Sequence, residues 1–366
     1  MVKLLTTKVK KCKKYIFEGD EMKKASIIIL NWNGKGLIKD CLNSVYNQTY
    51  KNFEVYFIDN GSTDNSIAHV KKNFPKSNIF QLDKNKGFAK GMNEGIKKSL
   101  KDNKTKYIVC LNNDTIVDKN WLKELIKTAD RGKKIGMVSS KAYFKTGEIQ
   151  NAGLSLEGPL QLNKPGGISI GFGKKDKEVN LNSDKEIFVP GGVAPLYKRE
   201  MLEEIYRRDK EFFDERYFAY AEDLDLGFRG RLLGWKSYLS VNAKLIHLHS
   251  ITGGSASKFK AYYSERNTLL TAFKNFSSWK FAKFLFSNVK LKIEYAKKGN
   301  NSSIKKLRGN IGFAGLIEVL IKAHFSFIFL IPRMLIKRIK IQLSKKVSNE
   351  EIEYWFKNFN RENVEK

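Results

Sequence analysis

Four apolar runs, each cut off by short polar residues, set the rhythm of the first 115 positions. Ala25-Ser26-Ile27-Ile28-Ile29-Leu30 stops at Asn31-Trp32-Asn33-Gly34, and Phe53 to Ile58 stops at Asp59-Asn60-Gly61-Ser62-Thr63-Asp64. Asn78 to Leu82 leads into Asn85-Lys86-Gly87, and Tyr107 to Leu111 stops at Asn112-Asn113-Asp114. Uninterrupted apolar stretches of this length fit strands buried on both faces, as in a mostly parallel sheet. Between them apolar residues recur at helical spacing, with Leu37, Ile38, Cys41, Leu42 and Val45 predicting a helix over 37–46. Two more helices are predicted, over 65–73 with Ser62 or Thr63 as cap, and over 121–129 with Asp114 or Asp118 as cap. Strand–helix alternation with short turns predicts an α/β, doubly wound sheet. Every polar turn then falls at the carboxyl end of a strand, where ligands of such sheets gather. Asp59, Asp64, Asn85 and Asp114 are therefore expected to line one crevice.

Residues 146–186 change character, being rich in Gly and Lys with few long apolar runs. They predict an irregular insertion with short strands, suited to ordering over a ligand. The core resumes at Ile187-Phe188-Val189, followed by Pro190-Gly191-Gly192, where the backbone is expected to approach something closely. A strand over 193–197, a helix over 200–207 and a strand over 235–241 follow. Between the last two lies Phe212-Phe213-Asp214-Glu215-Arg216-Tyr217-Phe218-Ala219-Tyr220-Ala221-Glu222-Asp223-Leu224-Asp225. Three acids in four residues exceed what a helix dipole asks for, and a carboxylate beside apolar rings can be tuned for proton abstraction. Ala243-Lys244-Leu245-Ile246-His247 ends in a histidine that is either a satisfied surface residue or a metal ligand. One carboxylate beside amide oxygens, as at Asn112 to Asp114, is a plausible half-site for Mg²⁺ or Mn²⁺.

Charge changes the picture more than length does. The 366 residues carry a net charge of +30 at pH 7, which calls for an anionic partner. Half of it lies in residues 251–366, where 23 Lys and Arg face 8 Glu and no Asp. Residues 275–345 alternate basic with apolar side chains, and Ile311 to Ile331 is long enough to span a bilayer but contains Glu318, Lys322 and His324. Glu318 and Lys322 share one face, with Leu316, Ile317, Leu320 and Ile321 on another. This predicts an amphipathic helix lying on an anionic membrane surface, with Arg333, Lys337, Arg338 and Lys340 for head groups. Packing on the sheet or on a second copy in a homodimer is the competing expectation. Residues 1–23 read as a basic lead-in without a signal-type apolar core. Three scattered cysteines fit a reduced, cytoplasmic protein.

Several classes are disfavoured. The first turn lacks G-x-G-x-x-G and no G-x-x-x-x-G-K-[ST] occurs, so the usual nucleotide folds do not fit. A nucleic-acid-binding or membrane-binding protein without enzymatic activity is the alternative from another class. No helix-turn-helix, zinc or RNP-type motif supports the nucleic-acid version, so no nucleic-acid partner is expected.

Five separated motifs, taken together, resemble family 2 glycosyltransferases of GT-A fold, most closely a rhamnosyltransferase-like branch. They are Asn31-Trp32-Asn33, Asp59-Asn60-Gly61-Ser62-Thr63-Asp64, Asn85-x-Gly87-Phe88-Ala89-x-Gly91-x-Asn93, Asn112-Asn113-Asp114 and Glu222-Asp223-x-Asp225-Leu226. The likeness covers roughly residues 26–270. It implies a GT-A domain over 24–255, with 146–186 as its insertion, and a basic helical region over 256–366. It further implies inverting transfer of a sugar from a dTDP- or UDP-linked donor to a hydroxyl of a glycan or lipid-linked acceptor, in surface-polysaccharide synthesis at the inner face of the cell membrane. By the resemblance, Asp59 meets the base and Asp64 the nucleoside. Asn31, Asn33, Asn85, Gly87, Asn93, Asn112 and Asn113 belong to the nucleotide-sugar site. Asn112-Asn113-Asp114 stands where the family has D-x-D, so Asp114 is the cation's main protein ligand and His247 a further one. Asn112 is a neutral departure from that motif. Asp223 matches the catalytic base, with Glu222 beside it. Gly191, Gly192 and the pair Arg266-Asn267 are expected to meet acceptor or phosphate. A processive synthase of the same superfamily would carry Q-x-x-R-W and several spanning helices, which are missing here.

Overall fold

A computed structural model describes residues 23–156, 169–248, 257–298 and 302–366. The lead-in before Lys23, the middle of the insertion and His249 lie outside the described residues. The apolar runs become strands β1 (Lys24–Asn31), β2 (Phe53–Asp59), β3 (Asn78–Gln81) and β4 (Thr105–Asn112). Helices α1 (Lys35–Tyr46), α2 (Ser66–Asn73) and α3 (Phe88–Ser99) connect them. Then come β5 (Thr115–Val117), α4 (Trp121–Ala129), β6 (Ile135–Tyr143), β7 (Ile149–Asn151), β8 (Lys185–Ile187), β9 (Leu196–Lys198), α5 (Arg199–Asp209), α6 (Glu222–Leu232) and β10 (Lys236–His247). The C-terminal part is helical: α7 (Lys258–Asn275), α8 (Ser278–Lys298), α9 (Ser302–Leu343), α10 (Asn349–Asn358) and α11 (Arg361–Glu365).

The sheet runs β3-β2-β1-β4-β9-β6-β10-β5, with β7 on β6 and β8 on β10. Its six longer strands, β1, β2, β3, β4, β6 and β10, all point the same way. Only three-residue strands run against them, and β9 sits inverted between β4 and β6. The polar ends of β1, β2 and β4 therefore open on one edge. Register fixes this: Asn31 lies level with Asp59, and Leu30 with Asn112.

Both predicted helix caps differ from the structure. The first amide of α2 is met by the Asp64 carboxylate at 3.1 Å, because Ser62 and Thr63 are drawn to Asn33 instead. For α4, the amide of Leu122 donates to the Gln48 side chain at 2.9 Å, a partner from α1's far end. Strand β6 was not predicted at all.

The C-terminal helices share a hydrophobic cluster with the insertion and α6, in which Ile149, Leu181, Phe188 and Phe228 pack with Leu270, Phe276, Met334 and Trp355. Helix α9 breaks at Gly312, whose φ is +72°. Beyond the break it buries Val319, Ala323, Phe327 and Met334 against the core while Ile317, Ile321, Phe325, Ile328, Phe329 and Ile336 stay exposed. Both faces are apolar, and one is uncovered. Among the described residues, 309–343 is the one helix long and apolar enough to cross a membrane. Two of the four expected head-group cations are spent internally: Lys337 pairs with Asp214 at 2.8 Å, and Arg338 caps α7 through the Phe276 carbonyl at 2.7 Å. Arg333 and Lys340 remain exposed.

Candidate active site

The strand ends enclose a cavity of about 400 Å³, within the range of small-molecule sites. One wall is a ladder of short amide and carboxylate side chains. Asn113 donates to Asn31 at 2.8 Å, and Asn31 donates in turn to Asp59 and Ser62, each at 3.2 Å. Asn33, in a left-handed conformation, accepts from the Thr63 amide at 2.8 Å. Gly34 has to be glycine here, since a Cβ would sit 2.4 Å from both Asn113 Nδ2 and Asn31 Oδ1. Asn60 extends the ladder by donating to Asn85 at 3.0 Å, and Asn85 accepts the Gly87 amide at 2.9 Å.

Asn85, Gly87, Asn112, Asn113 and Asp114 line the cavity, as does Trp32 from the same wall. Asn31, Asn33, Asp59 and Asp64, expected beside them, do not: the two asparagines spend their side chains on the ladder itself. Asp59 is completely buried and accepts the Ser62 amide at 2.9 Å, so it shapes the loop from beneath. Asp64 binds the Lys35 amide at 2.8 Å and the start of α2. Partial burial pushes its pKa up, yet hydrogen bonds from the Ser66 hydroxyl and those amides hold it below the ordinary value. Asn93 also faces away: it is buried, joining α3 to the amide and carbonyl of Phe213 at 2.9 and 2.8 Å.

At the cavity edge, His247 Nε2 lies 3.0 Å from Asp114 Oδ1, and both side chains are nearly buried. The β10–β5 pairing sets this contact by placing His247 opposite Thr115. His247 Nδ1 meets Gln150 Oε1 from β7, a partner the sequence did not reveal. A carboxylate and an oriented imidazole beside the amides of Asn112 and Asn113 fit Mn²⁺, and less well Mg²⁺, which prefers oxygen. Among the described residues no third acidic, His or Cys ligand joins them, so diphosphate oxygens would have to complete the shell.

Glu222, Asp223 and Gly192 form a second stretch of its wall. The carboxylate of Asp223 accepts the Leu224 amide at 2.8 Å and lies against Gly192, where a Cβ would come within 2.8 Å of its Oδ2. Burial raises its pKa. Glu222 is pushed up to about 8 by burial and by the neighbouring Asp223, and its Oε2 has no hydrogen-bond partner. With backbone donors from Leu224, Gly192 and its own amide on Asp223, against its own amide alone on Glu222, Asp223 takes the negative charge and Glu222 keeps its proton near neutrality. Asp225, the third acid of the cluster, points the other way into a buried network, 2.9 Å from both Arg229 and Lys274. Gly191 is likewise turned from the cavity, packed against Asn151.

Arg266 and Asn267 are buried and do not line the cavity. Asn267 Nδ2 donates to the carbonyls of Tyr217, Ala219 and Tyr220 at 2.8–2.9 Å, and Arg266 donates to Tyr217's at 3.1 Å. The segment they hold has left-handed φ at Phe218, Tyr220 and Ala221, none of them glycine. Each such position costs about 1–3 kcal/mol and persists only where its surroundings enforce it. Phe218 and Tyr220 present their rings to the cavity, and Phe259 from α7 completes an aromatic rim.

Residues 26–206 match the family described as Glycosyl transferase family 2. The chain is 26% identical over 225 residues to a poly-beta-1,6-N-acetyl-D-glucosamine synthase of Staphylococcus epidermidis, covering 60% of this chain and 51% of that protein. It is 28% identical over 236 residues to the O-antigen biosynthesis protein RfbC of Myxococcus xanthus, covering 62% of this chain and 17% of RfbC. The chain thus spans about half the length of the first of these relatives and less of the second. Among solved structures, S. aureus TarS 1-349 in complex with UDP-GlcNAc superposes with a TM-score of 0.50 at 20% identity, over 90% of this chain and 92% of that one. GalNAc-T7 with UDP, GalNAc and Mn²⁺ gives 0.54 at 14% identity, over 80% and 55%. The inverted β9, the polar strand ends and the matched family agree: residues 26–206 are a glycosyl transferase family 2 domain, and the fold is GT-A.

Proposed function

We propose that this protein transfers a sugar, with inversion, from a nucleotide-diphosphate donor to a hydroxyl of a glycan or lipid-linked acceptor in polysaccharide synthesis. The observation that carries this reading is that Asp114, paired with His247, lines the same cavity as Glu222 and Asp223. Asn60, Asn85 and Asn113, which line the cavity, offer donors and acceptors to the nucleotide and its sugar, with Asn31 bracing them from beneath. Asp223, ionised and aimed into the cavity, takes the proton of the acceptor hydroxyl as it attacks the anomeric carbon. Glu222 stays neutral and leaves that charge unopposed. Inversion needs no second protein acid: Asp114 and His247 would hold a divalent cation, which would supply positive charge to the departing diphosphate. The UDP- or dTDP-linked donor and a rhamnosyltransferase-like specificity follow from the motif likeness alone.

The uncovered apolar face of α9, bordered by Arg333 and Lys340, suits peripheral attachment to an anionic membrane, which would bring a lipid-linked acceptor to the cavity. A panel of UDP-, dTDP- and GDP-sugars, with Mn²⁺, Mg²⁺ or EDTA, tests the central claim on wild type and Asp223→Asn. Donor binding retained and turnover lost by about 10²–10⁴-fold in Asp223→Asn supports it. Failure of every nucleotide sugar to bind sinks it.

A further inference from the structure

Phe218, with φ +63° and ψ −63°, centres a γ-turn of the rare positive-φ kind, closed by the Ala219 amide donating to the Tyr217 carbonyl at 2.7 Å. Tyr220 and Ala221 follow with φ of +69° and +64°, and Ala221 is the residue from which α6 starts. Glu222 and Asp223 come next, so their direction is set by this backbone. Left to itself, a chain of L residues would not take this course. Two sets of contacts impose it. From α7, Asn267 and Arg266 bond the carbonyls of Arg216, Tyr217, Ala219 and Tyr220, while Arg266 Nε donates to Asn267 Oδ1 at 2.9 Å and locks the amide's orientation. From the donor wall, the Ala89 amide donates to the Phe218 carbonyl at 3.2 Å, and a Cβ on Gly87 would lie 2.6 Å from the Phe218 ring. Asn267 is fully buried, and these bonds use up its amide.

We propose that Arg266 and Asn267 are positioning residues: they hold the left-handed course of residues 216–221 and so aim Asp223 into the cavity. The pair does not itself touch acceptor or phosphate. This rests on the reading of Asp223 as the proton acceptor. It also gives the spacing between the Glu222-Asp223 and Arg266-Asn267 motifs a physical cause, since one is the backbone and the other its clamp.

The test uses the full chain with Asn267→Ala, Arg266→Lys and the double variant Asn267→Ala/Ala221→Gly, with UDP-GlcNAc and a dTDP-sugar as donor probes. In Asn267→Ala, amide exchange of residues 219 and 225 should quicken, and kcat should fall by about 100-fold at unchanged donor affinity, the scale of a misplaced reacting group. Glycine tolerates positive φ, so Ala221→Gly should restore much of that kcat even where the melting temperature stays low. A merely structural role would tie kcat to melting temperature and give no such rescue. If Asn267→Ala does not fold, Arg266→Lys, which loses the fork reaching Arg216 and Tyr217, carries the same comparison. Unchanged amide exchange, or faster exchange with kcat intact, overturns the inference, as does weakened donor binding at constant kcat. Full turnover by Asp223→Asn would instead sink the base reading, whereas a dead Asp223→Asn beside fully active clamp variants sinks the clamp alone.

Discussion

The two walls of the cavity are built in different ways. On the donor wall, regular strands end level with one another, and side chains from those ends bond to each other: Asn31, Asn60, Asn85 and Asn113 need little help from the rest of the chain. On the base wall, the backbone itself is contorted, and it is held by a helix about 50 residues further on. A wall made of local polar turns is robust to change elsewhere but sensitive to added bulk at its glycines. A wall made of enforced backbone depends on remote hydrogen bonds.

That contrast can be broken or sharpened in graded steps. The largest effect after Asp223→Asn is expected from Gln150→Leu at the cation end. It removes the acceptor that orients His247, and Mn²⁺ affinity, read by electron paramagnetic resonance, should fall about 10–100-fold while the fold persists. An unchanged affinity would deny Gln150 its orienting role. Next comes a pair of glycines two residues apart. Gly34→Ala forces a methyl onto Asn113 and Asn31 and should cost about 1–3 kcal/mol in urea unfolding. Gly36→Ala, inside α1 with open space around it, should stabilise by about 0.5–1 kcal/mol. Equal effects of the two would show that the ladder is not a tight unit.

A pH test separates the walls further. Burial and the neighbouring Asp223 push Glu222 up to about 8 in the folded state, above its ordinary 4.5, so the folded state binds the extra proton between those values. Its contribution to stability is therefore complete below pH 4.5 and is lost as pH rises through 8. In Glu222→Gln the unfolding midpoint should lose that downward slope between pH 5.5 and 8, and a slope that survives would place the proton elsewhere. The smallest effect concerns α9: Arg333→Glu with Lys340→Glu should reduce flotation with vesicles of anionic lipid, at roughly 1 kcal/mol per charge near the surface, and leave donor binding alone. Equal flotation would favour a second copy of the chain as the cover for that face.

The donor wall was legible in the sequence because strand, turn and motif are contiguous there. Strands β1 to β4 and helix α4 were readable to within a few residues, and the five motifs brought the family with them. Legibility failed at Asp59 and Asp64, whose carboxylates hold neighbouring loop amides, and where partners are distant. The sequence motif at Asn93 looks like its neighbours Asn85 and Gly87, yet helical rotation turns its amide to Phe213. Arg266-Asn267 looked like a ligand site because a buried clamp and a ligand contact use the same residue types. Strand β6 escaped because Ser139, Ser140 and Lys141 interrupt its apolar run. All three are buried, with Ser140 between Trp121 Nε1 and the Ala194 carbonyl at 2.8 Å each, and Lys141 on Asp176 at 2.6 Å. Polar residues satisfied by tertiary partners erase a strand's pattern.

The inverted strand β9 has a consequence for how the chain is made. It fills the gap between β4 and β6, yet roughly 80 residues separate the end of β4 from its start. At about 5–20 residues per second, a growing chain would present the unpaired edge of β4 for roughly 4–16 seconds before the ribosome delivers β9. The four-stranded half, β3-β2-β1-β4, would wait with an open side during that time, the kind of edge on which nascent chains pair with one another. Brevity is then an advantage: a three-residue plug can slot into a preformed gap late, where a long strand would need the sheet to reopen.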